Sequence, residues 1–84
     1  MDRLTAIGVF VQVVERKSFS AAARHFGIGI STVSKHIAQL EAWLGAKLLH
    51  RTTRRLHLTD IGAGFYERCS RVVAELDEIG RAHV

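Results

Sequence analysis

Residues 18–45 read SFSAAARHFGIGISTVSKHIAQLEAWLG, and this stretch decides the fold. Ser18 or Ser20 can accept from the free amides of a new helix, Ala21 to Ala23 propagate it, and Gly27 can take the left-handed conformation that ends it. A helix of about two turns is unstable alone in water, so its neighbours must hold it. A second helix follows a short glycine-containing turn. Val33, Ile37, Leu40 and Leu44 fall within a sector about 60° wide and define one buried face, and Gly45 stops the helix. Ser31, Ser34, Lys35, Ala38 and Ala42 lie on the far side, with Thr32, His36 and Gln39 along one flank. That outer face is short-chained, polar and cationic near its N-terminus. Alanine at 38 and 42 lets the backbone approach a large object closely.

Upstream, Leu4, Ile7, Val11 and Val14 recur at helical spacing, with Phe10 widening the stripe, and predict an amphipathic helix from Leu4 to Glu15. Arg16-Lys17-Ser18 breaks it. Downstream, residues 46–58 lose the helical period. Leu49 and Arg51, then Leu56, His57 and Leu58, flank Thr52-Thr53-Arg54-Arg55 and predict a small antiparallel hairpin with a loop of four residues or looser. Thr59 then caps a long final helix whose first-turn Asp60 suits the positive end of the helix dipole. Ile61, Phe65, Cys69, Val72, Val73, Leu76 and Ile79 form a seam about five turns long on it. The first two turns can cover the core of a small domain. The remainder outruns that core and implies a partner helix.

The 84 residues leave room for one small domain, whose core is thin because so short a chain buries only about 60 % of the surface it exposes when unfolded. Hydrophobic content of 48 % excludes disorder on composition, and the absence of proline favours helices. Cys69 is the only cysteine, so no internal disulfide can staple the fold, and a lone thiol fits a reducing cytoplasm. No run approaches the roughly 20 apolar residues that span a bilayer, which predicts a soluble, intracellular protein with no membrane partner. The net charge of +4 hides an asymmetry. Residues 16–57 carry eight Lys and Arg against Glu41 alone, a net +7, while both ends are acidic. A polyanion is drawn to the middle of this chain.

Two helices joined by a short turn, the second with a polar, basic outer face, form a helix-turn-helix, and the arginine-tipped hairpin makes it winged. A helix fits the major groove with its N-terminal residues at base edges, while wing arginines reach the flanking backbone or the minor groove. The fold class is therefore all-α with a small β-hairpin wing, plus a long C-terminal linker helix. Catalytic constellations are lacking. The five histidines form no His-x-x-x-His pair, Ser34 and His36 point about 200° apart on their helix, and no glycine-rich phosphate loop follows a strand. The reading is of a non-enzyme with no metal and no cofactor.

From Phe10 to Gly62 the sequence resembles a known family. Ser18-Phe19-Ser20-x-Ala22-Ala23, then Val33-Ser34-Lys35-x-Ile37-x-x-Leu40-Glu41-x-x-Leu44-Gly45-x-x-Leu48-Leu49-x-Arg51-x-x-Arg54, and Leu58-Thr59-x-x-Gly62, are similar to the N-terminal DNA-binding domain of LysR-type transcriptional regulators. The resemblance implies a sequence-specific regulator that binds double-stranded DNA as a homodimer, with linker helices paired antiparallel, in the bacterial cytoplasm at the nucleoid. It implies a division into a DNA-binding domain over 1–58 and a linker helix over 59–84. It also implies a periplasmic-binding-protein-like domain further along, absent here, that would take a small-molecule effector. DNA contacts fall on Ser31, Thr32, Ser34, Lys35 and His36, the last near a position that is often Gln, and on Arg51, Arg54 and Arg55. Dimer contacts fall on Phe65, Cys69, Val72, Val73, Leu76 and Ile79.

Gly29-Ile30-Ser31 stands where the family commonly has Ser-Gln-Pro or Ser-Gln-Ser. Ile30 then either packs against a thymine methyl or covers the turn. Two other positions stay open at this point. Arg51 touches DNA or bonds Glu41, and Trp43 is a half-buried cover, the favoured reading, or a dimer contact. Arg24 and Lys47 read as ordinary surface charges. The alternatives to a specific regulator are a nonspecific architectural DNA-binding protein and a protein-interaction module that meets an acidic surface.

Overall fold

The computed structural model describes residues 2–51 and 55–82. Helix α1 (Arg3–Arg16) begins at Asp2, whose carboxylate accepts from the Leu4 amide at 3.1 Å and the Thr5 hydroxyl at 2.6 Å. The Thr5 hydrogen bond holds that carboxyl below its ordinary range. α1 ends where Lys17 takes the left-handed conformation, φ 55°, and turns its amide back onto the Val13 and Val14 carbonyls. α2 (Phe19–Phe26) is capped by Ser18, the first of the two serines, whose hydroxyl accepts from the Ala21 amide at 3.0 Å. Gly27 ends α2 in the left-handed conformation the sequence predicts, and Gly45 stops α3 (Ile30–Leu44) as predicted, also left-handed.

Strands β1 (Leu49–Arg51) and β2 (Leu56–Leu58) pair antiparallel, with Leu49 opposite Leu58, His50 opposite His57 and Arg51 opposite Leu56. α4 (Asp60–Ala82) completes the chain. Among the described residues four helices and one hairpin make the predicted winged helix-turn-helix with its long terminal helix.

α1 lies at the centre, against α2, α3 and α4. That position corrects the stripe read from the sequence. Leu4 is 52 % exposed, whereas Ala6, Val9 and Val13, outside the stripe, are buried together with Phe10 and Val11. A helix enclosed by three others buries a broad arc rather than one face, and Leu4 in the first turn is left outside it. Phe10 meets the Phe65 ring at 5.5 Å and the edge of Tyr66 at 6.5 Å, which fixes α4 across α1. The Tyr66 hydroxyl adds a hydrogen bond to Glu15 Oε2 at 3.0 Å.

The wing is fastened at Leu48. Its side chain is fully buried, its amide donates to Glu41 Oε2 at 2.8 Å, and its carbonyl accepts from the Thr59 amide at 3.0 Å. The Thr59 hydroxyl donates to the Lys47 carbonyl at 2.6 Å and accepts from the Gly62 amide at 2.9 Å, the N-cap bond predicted for α4. Gly62 sits so close that a Cβ there would collide with the Leu48 carbonyl and press on Thr59 Oγ1. No backbone atom can yield there, so only glycine fits.

Two glycines of α4 therefore respond oppositely to alanine. Gly62→Ala is expected to destabilise the fold by about 3 kcal/mol, more than roughly 10 °C in Tm for a domain of this size. Gly64→Ala, where nothing lies within 4 Å of the added carbon, should stabilise by up to about 1 kcal/mol through helix propensity. Thermal unfolding of the two variants beside the parent checks the pair, and similar shifts would refute the Leu48 junction.

Candidate nucleic-acid interface

α3 is anchored by Val33, Ile37 and Leu40, all buried, which turns the opposite side of the helix outward. Ser31, Thr32 and Lys35 are exposed there and Ser34 is half-buried. Among the described residues Lys35 makes no ion pair, so its charge is available to a ligand. His36 is half-buried, and its Nδ1 is enclosed without a hydrogen-bond partner. All five α3 residues expected from the sequence thus lie on one helix, within its first two turns. At the leading end Gly29 contributes no side-chain cap, and Ile30 stands 51 % exposed.

The wing holds the other residues expected at DNA. Arg51 is the last residue of β1, and Arg55 is exposed just before β2. Arg54 lies outside the described residues. His50 and His57 face each other across the hairpin and are both exposed, while Leu49 is buried and Leu56 and Leu58 are half-buried against the core. An open groove of about 650 Å³ runs between the wing and the end of α1, with Lys17, Arg55 and His57 among its walls.

Arg16 and Lys47, also of the basic segment, are engaged within the chain. Arg16 donates to Gln12 at 2.7 Å and lies 3.0 Å from His25 Nδ1, and Lys47 pairs with Glu41 at 3.6 Å. Lys47, read as an ordinary surface charge, is 76 % exposed in its side chain, so that pair adds little stability. Glu41, the carboxylate that Arg51 could bond on the sequence reading, takes the Leu48 amide and pairs with Lys47, while the Arg51 side chain lies outside the described residues. Trp43 is 47 % exposed and carries the Arg3 guanidinium 4.3 Å from its ring centre, a contact no local pattern announces.

Residues 4–63 match the family model of the bacterial regulatory helix-turn-helix proteins, lysR family. The chain belongs to that family. Among curated relatives, an HTH-type transcriptional regulator of Xanthomonas campestris pv. campestris is 53 % identical over 70 residues, 83 % of this chain and 20 % of the relative. An HTH-type transcriptional repressor of Pseudomonas aeruginosa is 42 % identical, over 94 % of this chain and 25 % of its own length. The HTH-type transcriptional activator AaeR of Escherichia coli is 40 % identical, over 94 % and 26 %. The chain therefore spans about a fifth to a quarter of the length of these relatives.

Among solved structures, the BenM DBD in its catB site 1 DNA complex superposes with a TM-score of 0.89 at 32 % identity, over 95 % of this chain and 89 % of that one. The CbnR DBD in its DNA complex gives 0.85 at 28 %, over 95 % and 92 %.

The LysR-type fold divides the seam of α4 into two parts. Phe65 is half-buried against the core and Cys69 is 4 % exposed, so both are covered by their own chain. These two dimer contacts expected from the sequence are therefore less open to a partner helix than the rest of the seam. Val72 and Leu76 are 43 % and 44 % exposed, and Val73 is half-buried. Ile79 lies in the same helix. Among the described residues no group of three or more His, Cys, Asp or Glu converges as a metal site, and no helix is long and apolar enough to cross a membrane.

Burial pushes the Cys69 thiol up to about 11. A raised value favours the neutral thiol in the fold, so its contribution to stability is intact below the unfolded value near 9.0 and is lost as pH rises through about 11. Cys69 should accordingly resist a thiol-specific disulfide reagent at pH 8 and react at the rate of a free thiol only in denaturant. Rapid labelling of the native protein would contradict the burial.

Proposed function

We propose that this chain is the DNA-binding part of a sequence-specific transcription regulator that grips double-stranded DNA as a homodimer. The observation that carries this reading is the outward row of Ser31, Thr32 and Lys35, flanked by half-buried Ser34 and His36, on a helix whose other side is locked into the core. A polar, short-chained helix end with a lysine fits the major groove. The relatives solved with DNA share its fold and support the reading. Thr32, Ser34 and Lys35 read base edges, with Ser31 and His36 beside them. Arg51, Arg54 and Arg55 hold the flanking backbone or minor groove.

The DNA-binding unit occupies residues 1–58 and the linker helix 59–84, with α4 pairing along Val72, Val73, Leu76 and Ile79. Phe65 and Cys69 support that pairing from beneath. A further domain of the full-length protein receives a small-molecule effector, and the protein works in the cytoplasm at the nucleoid.

Affinity for a selected duplex should fall steeply with salt. A dimer that neutralises on the order of six phosphates gives a log–log slope of about −5. Lys35→Ala and Ser34→Ala should flatten discrimination between the selected duplex and random DNA by roughly 1–3 kcal/mol, whereas Arg54→Ala and Arg55→Ala should weaken both duplexes about equally. Fluorescence anisotropy over a salt series reads both effects. Equal, salt-insensitive binding of chosen and random duplexes would refute the proposal. Val72→Glu or Leu76→Glu should halve the sedimenting mass, and an unchanged mass would refute pairing through α4.

A further inference from the structure

The two isoleucines that bracket Gly29 have opposite fates. Ile28 is half-buried and packs on the core, which closes the α2–α3 turn. Ile30, the first residue of α3, stays 51 % exposed and is absent from the hydrophobic cluster, so it does not cover the turn. Gly29 ahead of it has no side chain, and the residues that follow, Ser31 and Thr32, are small and exposed. Ile30 is thus the largest side chain at the leading end of α3, an exposed apolar group beside small polar ones.

We infer that Ile30 is a specificity-determining residue that reads a thymine C5-methyl group in the major groove, an inference that rests on the DNA-binding reading above. The N-terminal residues of a groove-binding helix are those that meet base edges. In the major groove those edges present donors, acceptors and one apolar feature, the thymine methyl. Isoleucine can neither donate nor accept. Against guanine or cytosine it strips water from polar atoms and returns nothing, at a net cost. Beside a thymine methyl it removes apolar surface from water on both partners. The same side chain therefore rewards A·T and penalises G·C at the base pair it faces.

The chain is first used to select its preferred duplex from a random pool. Thymidines of that duplex are then replaced one at a time by deoxyuridine, which deletes the methyl and leaves every hydrogen-bonding group in place. At one thymine per half-site the parent should lose affinity about fourfold, the value of one buried methyl-sized group, and roughly the square of that when both half-sites are changed. Ile30→Ala should bind thymidine and deoxyuridine duplexes equally, while keeping the parent's salt slope and thermal midpoint. Ile30→Gln should change the selected base at that position.

Selective binding with no methyl-sensitive thymine overturns the inference and leaves the DNA-binding reading intact, as does a methyl effect that persists undiminished in Ile30→Ala. Failure to select any duplex overturns the DNA-binding reading itself, and the inference with it.

Discussion

The main chain of Leu48 is gripped from both sides, and the rest of the arrangement depends on that grip. Its amide is bound by a carboxylate from α3, its carbonyl by the first residue ahead of α4, and its side chain fills the core. Three elements that share no continuous hydrogen-bonded structure, α3, the wing and α4, are thereby set at fixed angles. A carboxylate that accepts a backbone N–H in a partly buried place forms one of the stronger single contacts available to a small domain. It matters more here because no disulfide or long sheet is present among the described residues to do the same.

Rigid placement is what turns a basic composition into a surface. The +7 of residues 16–57 is not a uniform field, since Arg16 is drawn to Gln12 and His25, and Lys47 to Glu41. Lys35 keeps its charge outward on α3, and the junction at Leu48 holds that helix at a fixed separation from the wing. A duplex presents phosphates and base edges at fixed separations too, and a preorganised pair of contacts meets them without paying the entropy of ordering a loop. The P. aeruginosa relative is named a repressor and the E. coli relative an activator, at similar identity to this chain. Likeness over this domain thus accompanies either sign of regulation.

The helices were legible wherever a local signal sufficed. Ser18, Gly27, Gly45 and Thr59 cap or stop their helices as the sequence announces, and the hairpin pairs across the predicted loop. The outer row of α3 was legible because one buried face implies its opposite. What the sequence withheld depends on contacts between distant segments. The buried arc of α1 needed knowledge of three neighbours, the burial of Cys69 and Phe65 by their own chain needed the packing of α4, and the role of Glu41 needed the path of Leu48. Gly62 could be placed in a motif but not explained, because the Leu48 carbonyl that excludes a Cβ is 14 positions away in the chain. Exposure of Ile30 was equally out of reach, since Ile28, two residues earlier, is chemically identical and turns inward.

The central claim is that one end of α3 and the wing together form the DNA-facing surface of a scaffold that does not rearrange to bind. Amide chemical shifts of the isotopically labelled chain, followed as its selected duplex is added, test this most directly. The largest changes should fall on residues 30–36 and on the wing strands, while amides of α1 and of α4 beyond Cys69 keep their positions. Changes centred on α1 or the distal half of α4, with residues 30–36 unmoved, would contradict the account.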